Sequence, residues 1–85
     1  MVRTGIRLKD RVAIVTGGAS NIGRHYVLGM AGEGARVVIA DIDGPAAQAT
    51  AQEVERQGGQ ALALATDVSK WPSVQAMAQH TMERF

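Results

Sequence analysis

Residues 16 to 23 read TGGASNIG, directly after the apolar run Val12-Ala13-Ile14-Val15 and directly before a segment in which Ile22, Tyr26, Met30 and Ala31 recur at helical spacing. A glycine-rich turn in that place joins a strand to a helix. Its backbone N–H groups then stand at the helix N-terminus, where the macrodipole contributes about half a positive charge and favours an anion. A fold that uses such a turn must supply a parallel strand beside the first, so the segments that follow decide what the turn is for.

Two further apolar runs follow, RVVIAD at residues 36 to 41 and ALALAT at residues 61 to 66, and each is preceded by a segment of helical pattern. Strand one is expected over Arg11 to Thr16, strand two over Arg36 to Asp41 and strand three over Ala61 to Thr66. The first two are continuous runs rich in Val and Ile, as expected where both faces of a parallel sheet are covered. Helix one should begin near Ile22 and stop at Gly34, with Tyr26 in the core beside Ile22 and Met30, and with Gly29 letting the helix approach the sheet. Helix two opens on Asp43-Gly44-Pro45, a cap with proline in the first turn, turns Ala47, Ala51 and Val54 inward and ends at Gly58-Gly59. Helix three takes Ser69 as its cap, has Pro72 in its first turn and aligns Val74, Met77, Ala78, Thr81 and Phe85 along one face.

Alternating strands and helices imply right-handed βαβ units and a parallel sheet. Three βα units give an α/β, Rossmann-type sheet with expected strand order 3-2-1, one mononucleotide-binding half of a doubly wound fold. Residues 1 to 85 then form the N-terminal part of a single dinucleotide-binding domain, with no second domain. A fourth strand is expected beside strand one, and without it strand one is an apolar edge defended only by Arg11.

Bulk properties narrow the functional classes. The 85 residues carry a formal net charge of +1, with 46% apolar and 20% charged residues, which argues against a nucleic-acid or membrane partner recruited by charge. Arg3, Arg7, Lys9 and Arg11 cluster at the start without an aromatic or further basic stripe, and read as a solvated leader. The absence of cysteine removes disulfide, thiolate-metal and cysteine-nucleophile chemistry. His25 and His80 lack a metal-ligand spacing, so no metal site is expected. The early apolar run is too short for a signal-peptide core or a membrane span, and the expected compartment is the cytoplasm.

The glycines at positions 17, 18 and 23 do not form G-x-G-x-x-G. Gly18 and Gly23 fit the two glycines of a P-loop, but Arg24 stands where its lysine would be and His25 where a Ser or Thr would hold magnesium. A methyltransferase-type loop is disfavoured because Thr16, not an acid, leads into the glycines. Asp41 ends strand two eighteen positions after Gly23, close to the spacing at which an acid meets an adenosine ribose. A carboxylate there accepts hydrogen bonds from both ribose hydroxyls and repels a 2′-phosphate, which favours NAD over NADP. Asp67 follows strand three at the same edge of the sheet and is placed to meet adenine.

At these residues the chain resembles the short-chain dehydrogenase/reductase family, whose loop is Thr-Gly-x-x-x-Gly-x-Gly. Thr16, Gly17 and Gly23 match it, with Asn21 in place of the middle glycine. The likeness runs from Leu8 onward through AGEGARVVIADID and ATDVS. Carried over position by position, it implies cofactor contacts from Gly17, Ser20, Asn21, Ile22 and Gly23 in the loop, from Asp41 and Ile42 after strand two, and from Asp67 and Val68 after strand three. Asparagine is among the few residues that tolerate positive φ, so the loop's backbone path is expected to survive at Asn21. The resemblance also implies NAD(H) as cofactor, a small alcohol or carbonyl as substrate of the intact enzyme, hydride transfer between them, and a homo-oligomer.

The family's serine and Tyr-x-x-x-Lys pair have no counterpart in these residues: Tyr26 is followed four positions later by Met30. No catalytic residue is therefore assigned, and this chain is expected to be inactive alone. The alternative is a non-catalytic nucleotide-binding module that acts as the short chain.

Overall fold

The computed structural model describes residues 9 to 18 and 20 to 85. Arg3, Arg7 and Leu8 of the leader and Ala19 of the glycine loop lie outside them. The elements run β1 (Val12–Thr16), α1 (Asn21–Gly32), β2 (Arg36–Asp41), α2 (Gly44–Arg56), β3 (Gln60–Ala65) and α3 (Trp71–Arg84). Each lies within two residues of its expected bounds.

Val37, Val38, Ile39 and Ala40 are all buried, which makes β2 the middle of the sheet, covered on both faces. The sheet is parallel and three-stranded in the order β1-β2-β3. Its register sets Thr16 beside Ala40 and Asp41 beside Ala65. The loops that leave the C-terminal ends of the strands therefore meet at one edge.

Alternation divides the side chains between two faces. Val37, Ile39 and Ala61 pack with Val27 of α1 and with Ala47, Ala51 and Val54 of α2, and Ala13, Val15 and Ala63 join them at the margin. On the opposite face, Leu64 and Thr66 enclose a small cavity of about 80 Å³ with Ser73, Met77 and His80 of α3. Val12 and Ile14 also point to this second face and are 42% and 45% exposed. The expectation that strand one is covered on both faces is thus corrected: α3 packs on β3, and among the described residues β1 pairs only with β2.

The helix boundaries follow local chemistry. The Asp43 carboxylate accepts a hydrogen bond from the Ala46 N–H at 3.0 Å, and Pro45 occupies the first turn, so α2 has both expected start signals. α3 differs. Its N-cap residue is Lys70, which makes no side-chain capping bond, and Ser69 is not the cap because its hydroxyl is engaged by Asp67.

Helix one also sits differently from its hydrophobic pattern. Gly23 and Val27 face the sheet, whereas Ile22 and Tyr26 are 71% and 64% exposed. The inward stripe is displaced by one residue because a glycine, not a large side chain, makes the first contact. Gly29 plays no such part: a Cβ there would meet nothing within 4 Å.

Candidate functional site

The turn after β1 is built on Gly17. Its N–H donates to the Ala40 carbonyl at 2.8 Å, extending the ladder past Thr16, and its φ of 68° then reverses the chain. That conformation costs an L side chain and not glycine. Ser20 closes the turn. Its N–H and its hydroxyl both donate to the Gly17 carbonyl, at 3.1 and 2.8 Å, and its Oγ accepts from the Gly23 N–H at 3.1 Å. Ser20 is therefore the N-cap of α1, and capping Gly23 leaves the N–H groups of Asn21 and Ile22 at the open end of the helix.

The turn makes no use of asparagine's tolerance of positive φ. Among the described residues only Asp10 is a non-glycine with positive φ, and Asn21 is simply the first residue of α1. Gly17 performs the reversal, so the asparagine carries no backbone strain. Its side chain is exposed at the helix start.

Beyond the turn, a cavity of about 400 Å³ opens at the C-terminal edge of the sheet between Gly17, Asp41, Ile42, Thr66, Asp67 and Val68. Five of the nine residues expected to touch a cofactor (Gly17, Asp41, Ile42, Asp67 and Val68) line it together. Ser20, Asn21, Ile22 and Gly23 do not line it, and belong to the adjoining turn and helix start. Ile42 and Val68 are 73% and 60% exposed and supply apolar surface beside the two carboxylates.

The two carboxylates are held by their own loops. Asp41 accepts from the Asp43 N–H at 2.9 Å, which fixes the bend between β2 and α2. Asp67 accepts from the Ser69 hydroxyl at 2.6 Å and the Ser69 N–H at 3.0 Å. The hydroxyl bond first, then the N–H bond, with a smaller contribution from the Lys70 charge, hold its carboxyl below the usual range, so it is ionised at neutral pH. The Asp67 N–H donates to Ser73 Oγ at 2.8 Å, which ties this loop to the first turn of α3.

Sequence reasoning missed several supporting residues. Ser73 carried no signal, being a serine inside a helical pattern. Gly18 is buried, and a Cβ there would stand 2.8 Å from Ile39 Cγ2 and 3.2 Å from Val27 Cγ2, so it lets the turn rest on the core. Glu53 takes the guanidinium of Arg24: Nε donates to Oε2 at 2.9 Å, and Nη2 bonds both carboxylate oxygens.

A second cavity, of about 370 Å³, lies at the opposite edge of the sheet near Asp10, Arg36, Gln57 and Gln60. It faces the C-terminal ends of α1 and α2, which favour cations rather than phosphate. No described helix is long and apolar enough to cross a membrane. No cluster of three acidic or histidine side chains among the described residues could hold a metal ion.

Comparison with known proteins agrees with this fold. The model of the short chain dehydrogenase family matches residues 11–85. The short chain dehydrogenase/reductase astE of Aspergillus oryzae is 46% identical over 79 residues, which is 92% of this chain and 30% of that protein. Among solved structures, the hydroxysteroid dehydrogenase from Escherichia coli superposes with a TM-score of 0.89 at 32% identity, covering 94% of this chain and 34% of the other. A 7 alpha-hydroxysteroid dehydrogenase complexed with NADH and 7-oxo glycochenodeoxycholic acid superposes with a TM-score of 0.88 at 34% identity, covering 91% and 30%. The chain thus spans about a third of the length of the proteins it matches.

Proposed function

The chain belongs to the short-chain dehydrogenase family, and from that premise we propose that it forms the adenosine and pyrophosphate half of an NAD(H) site in an oxidoreductase. The observation that carries the reading is a shared cavity: the Asp41 carboxylate stands on the same rim as the glycine turn and the Asp67 loop.

Each part has a physical role. The open N–H groups of Asn21 and Ile22 and the positive end of α1 receive the pyrophosphate, which the exposed Asn21 amide can also meet. Gly17, lacking a side chain, lets the cofactor approach the backbone, and Gly23 seats the start of α1 against the turn. Asp41 accepts hydrogen bonds from the adenosine ribose hydroxyls and disfavours a 2′-phosphate, since a second anion beside it would be unpaired. Ionised Asp67 accepts from the amino group of adenine, with Val68 and Ile42 supplying apolar surface to the ring. The nicotinamide, when bound, supplies or takes up a hydride.

In the proposed whole enzyme, the sheet continues from β1 with a fourth strand, giving the doubly wound order that begins 3-2-1, and the substrate is an alcohol or carbonyl compound. Assembly as a homo-oligomer belongs to the same proposal. The module reading gains nothing from the relatives named above, all dehydrogenases.

Titration with NADH and with NADPH tests the cofactor reading, followed through the fluorescence of the exposed Trp71. NADH is expected to bind at least about tenfold more tightly, a difference of about 1.4 kcal/mol. NADPH binding as tightly as NADH would remove the role given to Asp41.

A further inference from the structure

Arg24 is the residue after Gly23 in the first turn of α1, and Glu53 lies near the far end of α2. We propose that this pair is a positioning device for the pyrophosphate end of the site. The inference rests on the nucleotide-binding reading given above.

The need for such a device arises from how α1 is seated. A Cβ built at Gly23 would stand 2.1 Å from the Gly17 carbonyl oxygen and 2.9 Å from Gly18 Cα. That contact limits how closely the helix can approach, but without a side chain it offers little attraction. The first apolar anchor, Val27, comes a full turn later. The exposed Ile22 contributes no anchor either. The start of α1, where Asn21 and Ile22 present their N–H groups, therefore needs a lateral tie.

The Arg24 fork supplies it. Nε and Nη2 together grip the Glu53 carboxylate, an arrangement that fixes distance and orientation at once. Glu53 is itself immobilised, because α2 buries Ala47, Ala51 and Val54 and begins at the Asp43 cap, two residues after Asp41. The pair therefore sets the helix start relative to the ribose carboxylate. With the two side chains 40% and 23% exposed, solvent screening keeps its worth to global stability small. Its effect is local geometry, and its charge is compensated by Glu53 instead of being offered to the cofactor.

Equilibrium dialysis of ADP and of adenosine against the chain separates the possibilities. The variants are Arg24→Gln, Glu53→Gln and the reversed pair Arg24→Glu/Glu53→Arg, each checked by circular dichroism. Glutamine keeps most of the volume at both positions. Each single variant is expected to raise the Kd for ADP by a similar factor, about three- to tenfold, in line with coupling energies measured for contacting pairs. Adenosine, which lacks phosphate, should bind as before, and the reversed pair should regain much of the loss. Unchanged or tighter ADP binding in Glu53→Gln would overturn the proposal, since a directly anion-binding Arg24 predicts that result. A parallel loss for adenosine would overturn it too, as the mark of general destabilisation. If the parent chain binds neither ligand, the nucleotide-site reading fails and takes this inference with it.

Discussion

Gly23 rests on Gly17: the space a side chain would need at residue 23 is filled, at 2.1 Å, by the carbonyl oxygen of residue 17. The backbone of α1 thus touches the turn that precedes it. Neither side of the contact can yield by rotating a side chain. Gly23→Ala must push the helix start away from the sheet, which is expected to cost about 1–3 kcal/mol and to abolish measurable NADH binding. Thermal unfolding and a binding titration on the same sample check both. An alanine variant with parental stability would mean that the helix start is loosely seated.

The preference between cofactors should follow the charge at residue 41. Asp41→Asn keeps a hydrogen-bond acceptor and removes the anion, so discrimination against NADPH is expected to fall by about tenfold, or roughly 1.4 kcal/mol, with a smaller change in NADH affinity. Parallel titrations read the ratio. An unchanged ratio would show that the carboxylate does not face the 2′ position.

Asp67 gives a pH signature. Its folded-state pKa is depressed, chiefly by the Ser69 hydroxyl, so its contribution to stability is present above the unfolded value, about pH 4, and is lost as pH falls through the lower folded value. Ser69→Ala removes the largest cause. The Asp67 carboxyl carbon, followed by NMR, should then titrate at higher pH than in the parent. The stability difference between parent and variant should be present at neutral pH and vanish in acid. A parental titration midpoint in the variant would contradict the assignment.

The uncovered surface of β1 has a consequence for the chain studied by itself. Val12 and Ile14 are part-exposed on β1, which among the described residues pairs only with β2, and Ile22 and Tyr26 are exposed on the adjoining helix. An apolar edge of this kind pairs with other chains unless a charge interrupts it. Residues 1 to 85 alone are expected to self-associate in sedimentation runs, and Ile14→Lys to shift them toward monomer. A monomeric, cooperatively unfolding parent would contradict this.

What could be read in advance follows from how local each signal is. Strand two was legible because its apolar run is continuous, and α2 because Asp43, Pro45 and Gly58 mark its ends. The cavity residues Asp41 and Asp67 were legible because strand ends in a parallel sheet converge on one edge. Tyr26 was misplaced for a physical reason: hydrophobic periodicity credits large side chains, while the decisive contact on α1 is made by Gly23, which has none. Ser69 was misplaced because its hydroxyl had two possible uses, and bonding to Asp67 two residues earlier prevailed over capping α3. The Arg24–Glu53 tie, spanning two helices, has no local signature. Asn21, which stands where the family has glycine, has no positive φ, so Asn21→Gly is expected to change NADH affinity by less than about tenfold.

Amide hydrogen exchange with and without NADH, read by mass spectrometry, tests the central assignment most directly. Slower exchange is predicted in peptides that contain residues 17 to 24, 41 to 43 and 66 to 69, with residues 31 to 36 and 57 to 60 at the opposite edge of the sheet unchanged. Protection confined to that opposite edge, or no protection at the glycine turn at saturating NADH, would contradict it.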